Sequence, residues 1–359
     1  MRVGLVIYGT LDTISGGYLY DRKLVEYLQH AGDTVEIISL PWRHYAAHLF
    51  DNFSADLCRR LRQARVDVLV QDELNHPSLF FLNRRLHNVT GFPIFSMVHH
   101  LRSSEAHPAG LKIFYRWIER QYLASVDGFI FNSRTTRDAV SQLLGHTPPN
   151  HVIAYPAGNR FEPHIDATTI IARAREPGAL RIVFVGNLIP RKGLHTLLDA
   201  LARLPANMWR LEVVGNPKVD IKYTTKIRTQ IHAQRLQNVR LAGVLDDHTL
   251  AHTLAQSHLL VVPSTYEGYG IVYLEAMSFG LPAIATIAGA AYEIIADGVN
   301  GFLVAPNDAA MLAARIEQLA HDREQLAQMS VAAHERFLAQ PRWETSLTRI
   351  RNHLLGLCR

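Results

Sequence analysis

Short apolar, β-prone runs alternate along the chain with stretches of helical spacing, and the alternation comes in two series. The first runs cover residues 3–8, 34–40, 66–70, 94–99, 128–132 and 152–155. The second cover residues 181–185, 211–214, 239–241, 259–262, 283–286 and 302–304. Helical segments between such strands imply right-handed βαβ units and parallel sheets with helices on both faces. Two series predict an α/β protein of two Rossmann-like, doubly wound domains. Residues 155–163 carry turn residues with neither period, and a short segment follows up to Pro177-Gly178, which places the linker there. The expected parts are a first domain at 1–163, a second at 164–340, and a helically spaced tail at 341–359. Open parallel sheets bind ligands beyond the carboxyl ends of their strands, so two facing domains are expected to share one central cleft.

Composition narrows the class. The 359 residues suit two domains that each bury a core, and 48% hydrophobic with 19% charged residues excludes wholesale disorder. A net charge of +5 favours anionic partners weakly, but no block of five basic residues occurs, so nucleic acid is not an expected partner. A phosphorylated substrate or an anionic membrane surface fits better. Cys58 and Cys358, the only cysteines, are read as incidental and point to a reducing compartment. No apolar run approaches the roughly 18 residues that span a bilayer, so the expected location is cytoplasmic, with peripheral contact at the inner face of a membrane left open.

The densest chemistry lies in Pro263-Ser-Thr-Tyr-Glu-Gly-Tyr-Gly-Ile-Val-Tyr-Leu-Glu-Ala-Met-Ser-Phe-Gly-Leu-Pro282, which sets Glu267 and Glu275 around a glycine hinge with seven residues between them. The apolar run before it reads as a strand. Gly268 and Gly270 allow a sharp turn, and Ile271 onward continues as a helix that Gly280 and Pro282 stop. Helix N-termini present unpaired amides and the positive end of the macrodipole, so an anion over Gly270 and Ile271 would be stabilised. The two carboxylates can bracket a ligand that is anionic in the middle and hydroxyl-rich at both ends, as a nucleotide sugar is.

This stretch resembles the signature of retaining glycosyltransferases of the GT-B fold, family 4 (glycosyl transferases group 1), whose hallmark is Glu, seven residues, Glu in a strand, loop and helix. The resemblance implies that Glu267 faces the donor hexose, that Glu275 hydrogen-bonds the nucleotide ribose, and that the backbone of Gly268, Tyr269, Gly270 and Ile271 lies near sugar and diphosphate. It also implies a terminal helix that crosses back to the first domain.

The loop Gly186-Asn-Leu-Ile-Pro-Arg-Lys-Gly193 follows the first strand of the second series, and its adjacent cations suit a diphosphate. The family often has arginine directly after the first glycine and Lys-Gly at the end. Lys192-Gly193 matches, whereas Asn187 stands where the arginine is usual, and Arg191 is expected to compensate. Gly16-Gly17 opens a helical run after the first strand and resembles the family's glycine-rich first loop; a plain tight turn is an equal reading. His99, in Ser96-Met-Val-His-His100, aligns with a family histidine near the donor sugar, and one of His99 and His100 is expected to face the ligand. His44 and His48 lack an evident third ligand and read as an ordinary helix face. Residues 111–123 interleave aromatics with Lys112, Arg116 and Arg120, a pattern that fits either a helix packed on its domain or one lying on anionic lipid.

The resulting expectation is a retaining hexosyltransferase that moves a sugar from a nucleotide-diphosphate donor to a hydroxyl acceptor, glycan, glycolipid or small molecule. His99, Glu267, Arg191 and Lys192 are the expected catalytic residues. Gly16, Gly17, Gly186, Asn187, Gly268, Tyr269, Gly270, Ile271 and Glu275 are expected to bind the donor. No Asp-x-Asp occurs, so neither a metal nor any cofactor besides the donor is implied. Two alternatives stand beside this. A nucleotide-sugar epimerase of similar fold would convert donor without acceptor, and a non-catalytic nucleotide-sugar binder is kept open by Asn187. A nicotinamide dehydrogenase is disfavoured because Gly-x-Gly-x-x-Gly is absent.

Overall fold

A computed structural model describes residues 1–13 and 15–357 of the chain. The calls on Cys358 and on the Ile14 position of the first loop lie outside them. The chain divides into two compact units, one of Met1–Pro156 with Pro341–Arg359 and one of Ala157–Gln340.

The first unit is a six-stranded parallel sheet of β1 (Arg2–Tyr8), β2 (Thr34–Leu40), β3 (Val68–Asp72), β4 (Ile94–Val98), β5 (Gly128–Phe131) and β6 (His151–Ile153), in the order β2-β1-β3-β4-β5-β6. β1, β3 and β4 are buried along almost their whole length, which explains their continuous apolar runs. The helix Gly16–His30 starts at Ser15, whose hydroxyl accepts from the Tyr18 amide at 3.2 Å, and buries Tyr18, Tyr20, Leu24, Val25 and Leu28. The terminal helix Trp343–Leu357 belongs to this unit. Arg351 pairs with buried Asp33 at 2.6 Å, the hydroxyls of Tyr27 and Thr348 are 2.6 Å apart, and Trp343 packs edge-on against Tyr20.

The second unit is also a six-stranded parallel sheet: β7 (Leu180–Val185), β8 (Trp209–Val214), β9 (Val239–Gly243), β10 (Leu259–Val261), β11 (Ala283–Thr286) and β12 (Gly301–Val304). Its order is β12-β11-β10-β7-β8-β9, the doubly wound arrangement in which the chain reverses direction between β7 and β10. The loops after these two strands therefore emerge side by side, and they are the two that carry Lys192 and Glu267.

The elements differ from the apolar runs in instructive ways. The run at 66–70 becomes a strand at 68–72, because Asp67 is drawn off to the Arg2 amide and guanidinium, and the polar Gln71 and Asp72 are buried instead. Gln71 is satisfied by a reciprocal amide pair with Asn83, both bonds 2.9 Å. β4 stops at Val98, one residue short of the run, and leaves His99 in the following turn. The division between units falls after Pro156, not after residue 163. Residues 157–163 go with the second unit, where Arg160 is paired with Asp247 and Glu275.

Candidate active site

At the switch point of the second sheet, the loop after β7 runs through Gly186 to the turn Pro190–Lys192, and the loop after β10 runs from Val262 to Gly270. Backbone bonds tie them, with the Thr265 amide donating to the Arg191 carbonyl at 2.8 Å. Lys192 Nζ is ion-paired to Glu267 Oε1, and Arg191 Nη1 lies 3.7 Å from Glu267 Oε2 while donating to the Tyr266 carbonyl at 2.7 Å. The Ser264 hydroxyl donates to Glu267 Oε1 at 2.7 Å. Burial alone would raise the Glu267 carboxyl; the charges of Lys192 and then Arg191, with the hydrogen bonds from Lys192 and Ser264, hold it at about 2. Burial pulls the Lys192 ammonium down, against the opposing pull of Glu267. The pair is one charged unit, positive overall once Arg191 is included.

The backbone fixes Glu267 as well. Its amide and carbonyl bond to Ala288 and Ala290 at 3.3 and 2.9 Å, extending the sheet by one bridge to Gly289. Gly270 caps the helix Ile271–Ser278 at φ 94°, a left-handed conformation, and a Cβ there would run into the Tyr273 ring. Tyr273 Oη in turn donates to the Val262 carbonyl at 3.2 Å, closing the loop on itself. Glu275, on the second turn of that helix, is buried and meets Arg160 Nη1 at 3.4 Å. Burial raises its carboxyl and Arg160 offsets part of the effect. Tyr269 Oη accepts from Gln340 Nε2 at 2.8 Å, so this ring is anchored within the unit.

In the first unit the chain order also reverses beside β1, between it and β3. Gly17, His99, Asp21 and Asp72 gather there. His99 Nε2 is 3.0 Å from Asp21 Oδ1, and its ring meets Tyr20 edge-on. A Cβ on Gly17 would stand 3.2 Å from His99 Cδ2, so the glycine makes room for the imidazole. Burial would lower the His99 ring; the Asp21 charge and hydrogen bond, then Asp72 and Glu73, raise it to about 9, so it is a cation at neutral pH. His100 points elsewhere, to Glu105 at 3.0 Å.

Two family models fit these two units. The one described as "Glycosyl transferases group 1" matches residues 168–336, and the "Glycosyl transferase 4-like domain" matches residues 14–158. The chain belongs to the group 1 glycosyltransferases. An uncharacterised glycosyltransferase of Methanocaldococcus jannaschii is 33% identical over 40% of this chain and 38% of its own length. The phosphatidyl-myo-inositol mannosyltransferase of Mycolicibacterium smegmatis is 27% identical over 94% of this chain and 89% of its own. Several other curated relatives align over only about half to three fifths of their length, such as a Mycobacterium tuberculosis glycogen synthase at 54%. Among solved structures, the sucrose-phosphate synthase from Thermosynechococcus elongatus superposes with a TM-score of 0.84 at 20% identity, covering 99% of this chain and 98% of its own. Anabaena HepE with UDP-glucose gives 0.77 at 19% identity over 99% and 100%. These likenesses establish the GT-B fold.

For this member of the family the sequence located most of the second-unit cluster, and two partners in it and one in the first unit escaped notice. Arg160 sits in the stretch read as linker, and Ser264 lies within the Pro263–Pro282 signature with no role of its own assigned there. Asp21 left a usable signal, because Leu24, Val25 and Leu28 at i+3, i+4 and i+7 make it the one acid on an apolar helix stripe. Asn187 and Gly186 line the loop after β7 as expected. His44 and His48 do not form a pair: His44 caps its helix by accepting from the Ala47 amide, and buried His48 stacks on Tyr8 and faces Asp51. On the helix Ala109–Leu123, Tyr115 and Tyr122 are buried, whereas Ile113 and Trp117 are exposed. No helix among the described residues is long and apolar enough to cross a membrane.

Proposed function

We propose that this glycosyltransferase moves a hexose from a nucleotide-diphosphate sugar to a hydroxyl acceptor with retention of configuration and without a catalytic metal. One observation carries the reading: a buried Glu267 carboxylate held by Lys192 and Arg191 at the switch point of the second sheet, beside the N-terminus of the helix Ile271–Ser278. Negative charge builds on the departing diphosphate as the anomeric bond breaks, and preorganised cations stabilise it most where water is excluded. Lys192 and Arg191 are assigned that task, together with the amides that open the helix. Glu267 orients the hexose, and Glu275, held by Arg160, the ribose. In the first unit His99 is given a substrate-facing role. Leaving-group oxygen then takes the acceptor proton on the face from which it departs, which preserves configuration without a covalent enzyme intermediate.

A uridine nucleotide is the first donor to try, since the Anabaena neighbour was solved with UDP-glucose. The acceptor is proposed to be a glycan or glycolipid hydroxyl; the mannosyltransferase relative bears the name of a phosphatidyl-inositol acceptor. A lipid-borne acceptor would suit the exposed Ile113 and Trp117 flanked by exposed Arg116 and Arg120, offering peripheral contact with an anionic leaflet. The deciding experiment is a donor and acceptor screen without added divalent metal, with the anomeric configuration of the product read by NMR. Retained configuration, lost turnover in Glu267→Ala and no conversion of donor in the absence of acceptor support the reading. Inverted product would overturn it, and acceptor-free donor conversion would favour an epimerase.

A further inference from the structure

Three buried side chains of the first unit, none given a role in transfer, converge, and among the described residues no lysine or arginine is ion-paired to either carboxylate. Glu73 follows β3, His76 opens the short helix His76–Leu79, and Glu119 lies on the helix Ala109–Leu123. Their exposures are 3%, 1% and 0%. Each offers one ligand atom, and these atoms lie within 4.8 Å of one another.

The hydrogen bonds around them leave two carboxylate oxygens over. Glu119 Oε1 accepts from the Ser103 amide at 3.1 Å, and His76 Nε2 is 2.9 Å from the Tyr45 hydroxyl. His76 Nδ1 lies 3.0 Å from both Glu73 Oε1 and the Glu73 carbonyl oxygen, but only the carbonyl meets it at hydrogen-bonding angles. Glu73 Oε1 and Glu119 Oε2 have no hydrogen-bond partner. The nearby Arg102 guanidinium stacks on the rings of Tyr45 and Tyr115, 5.2 and 4.8 Å from their centres, and among the described residues it pairs with neither carboxylate.

Buried carboxylates persist only when a proton or a cation joins them. A shared proton fills one gap; a divalent cation fills all three positions. We propose that Glu73, His76 and Glu119 bind one divalent transition-metal ion, zinc being the first to try, which fastens the loop after β3 to the helix Ala109–Leu123. One imidazole and two carboxylates are a donor set such ions accept. As the ring stands, Nδ1–H donates to the Glu73 carbonyl, so binding the ion takes that proton, frees the Nδ1 lone pair and leaves Nε2–H to the Tyr45 hydroxyl, an outer partner of the kind that metal-bound histidines use. Bonds of about 2.1 Å hold ligand atoms within about 4 Å of each other, so closure by less than about 1 Å completes the site. The other acid and imidazole group, Asp21, Asp72 and His99, is part of the site described above, where Asp21 already holds the ring nitrogen. The proposed ion lies outside the transfer chemistry and is compatible with metal-independent catalysis.

The test uses the untagged full chain and does not depend on transfer activity. Elemental analysis by mass spectrometry is expected to find about one equivalent of zinc or another divalent transition metal. Chelator should remove it with a fall in Tm that zinc restores and magnesium does not. Cobalt replacing it should give visible d–d bands, and Glu119→Gln should retain at least about tenfold less metal. Less than about a tenth of an equivalent in the parent, with a Tm indifferent to chelator and zinc, would overturn the proposal. Glu119→Gln as stable as the parent would then identify a shared proton, because the carboxamide supplies Glu73 with the missing hydrogen. Should that variant not fold, cobalt titration of the parent decides alone, and a colourless protein rejects the site.

Discussion

At the switch point of the second sheet one buried carboxylate, Glu267, meets two cations and a hydroxyl, whereas beside β1 of the first sheet two buried carboxylates, Asp21 and Asp72, share one imidazole. The same topology thus carries different charge balances. A surplus of positive charge suits a site that receives a diphosphate and stabilises it as it leaves. In the first site burial and then the Asp21 charge push the Asp72 carboxyl up to about 7, while the acids around His99 keep its ring protonated and fixed in direction. The second arrangement costs desolvation that is not fully offset among the described residues, where Asp21 Oδ2 has no hydrogen-bond partner.

The largest effect that tests this contrast is on rate. Lys192→Ala removes one preorganised donor and should lower kcat by about 10² to 10³, or about 2.7 to 4 kcal/mol; a steady-state loss below about tenfold would detach Lys192 from the leaving group. Stability comes next. Glu267→Gln leaves Lys192 buried without its partner and should cost about 3 to 5 kcal/mol in denaturant unfolding. Asp72→Asn keeps the acceptor for the Leu74 amide, 2.9 Å away, at a carboxyl that burial and then the Asp21 charge push up to about 7, so it removes little charge and should change stability by less than about 1 kcal/mol or raise it. Equal losses for the two variants would erase the contrast.

The pH dependence of unfolding should separate the two regions more finely. Glu267 sits at about 2 against an ordinary 4.5, so its stabilisation is complete above about 4.5 and drains away as pH falls toward 2. His99 sits at about 9 against 6.5, so its contribution is complete below 6.5 and is lost as pH rises from there through 9. Asp21→Asn should flatten the alkaline limb and leave the acid limb alone; an unchanged alkaline limb would mean that Asp21 does not hold the charge on His99. The smallest effect is expected from Asn187→Arg. With Arg191 already directed at Glu267, kcat/KM should move by no more than about threefold, and a tenfold gain would show that Arg191 is a poor substitute.

Legibility in the sequence followed the same divide. The second-unit cluster was readable because its parts are local: a glycine turn, two adjacent cations, two glutamates spaced along one strand, loop and helix. The strands were readable because burial on both faces makes them continuously apolar. What escaped depends on contacts between distant segments. Gln71 and Asn83 satisfy each other only after folding, so β3 reads two residues too early in the chain. Asp21 and His99 lie 78 positions apart and meet only because the first helix passes the end of β4. Glu73, His76 and Glu119 carry no spacing that marks a set, since Glu119 comes from a helix whose periodicity reports only its apolar stripe.

The measurement that bears most directly on the central claim is thermal unfolding of the parent and of Lys192→Ala with UDP, GDP, ADP and their common hexose conjugates. A ligand at 100 times its dissociation constant stabilises the folded state by about 2.7 kcal/mol. A rise in Tm with one base, absent in Lys192→Ala, is the expected result. No rise with any nucleotide at millimolar concentration, or the same rise in both proteins, would contradict a donor site built on Lys192 and Glu267.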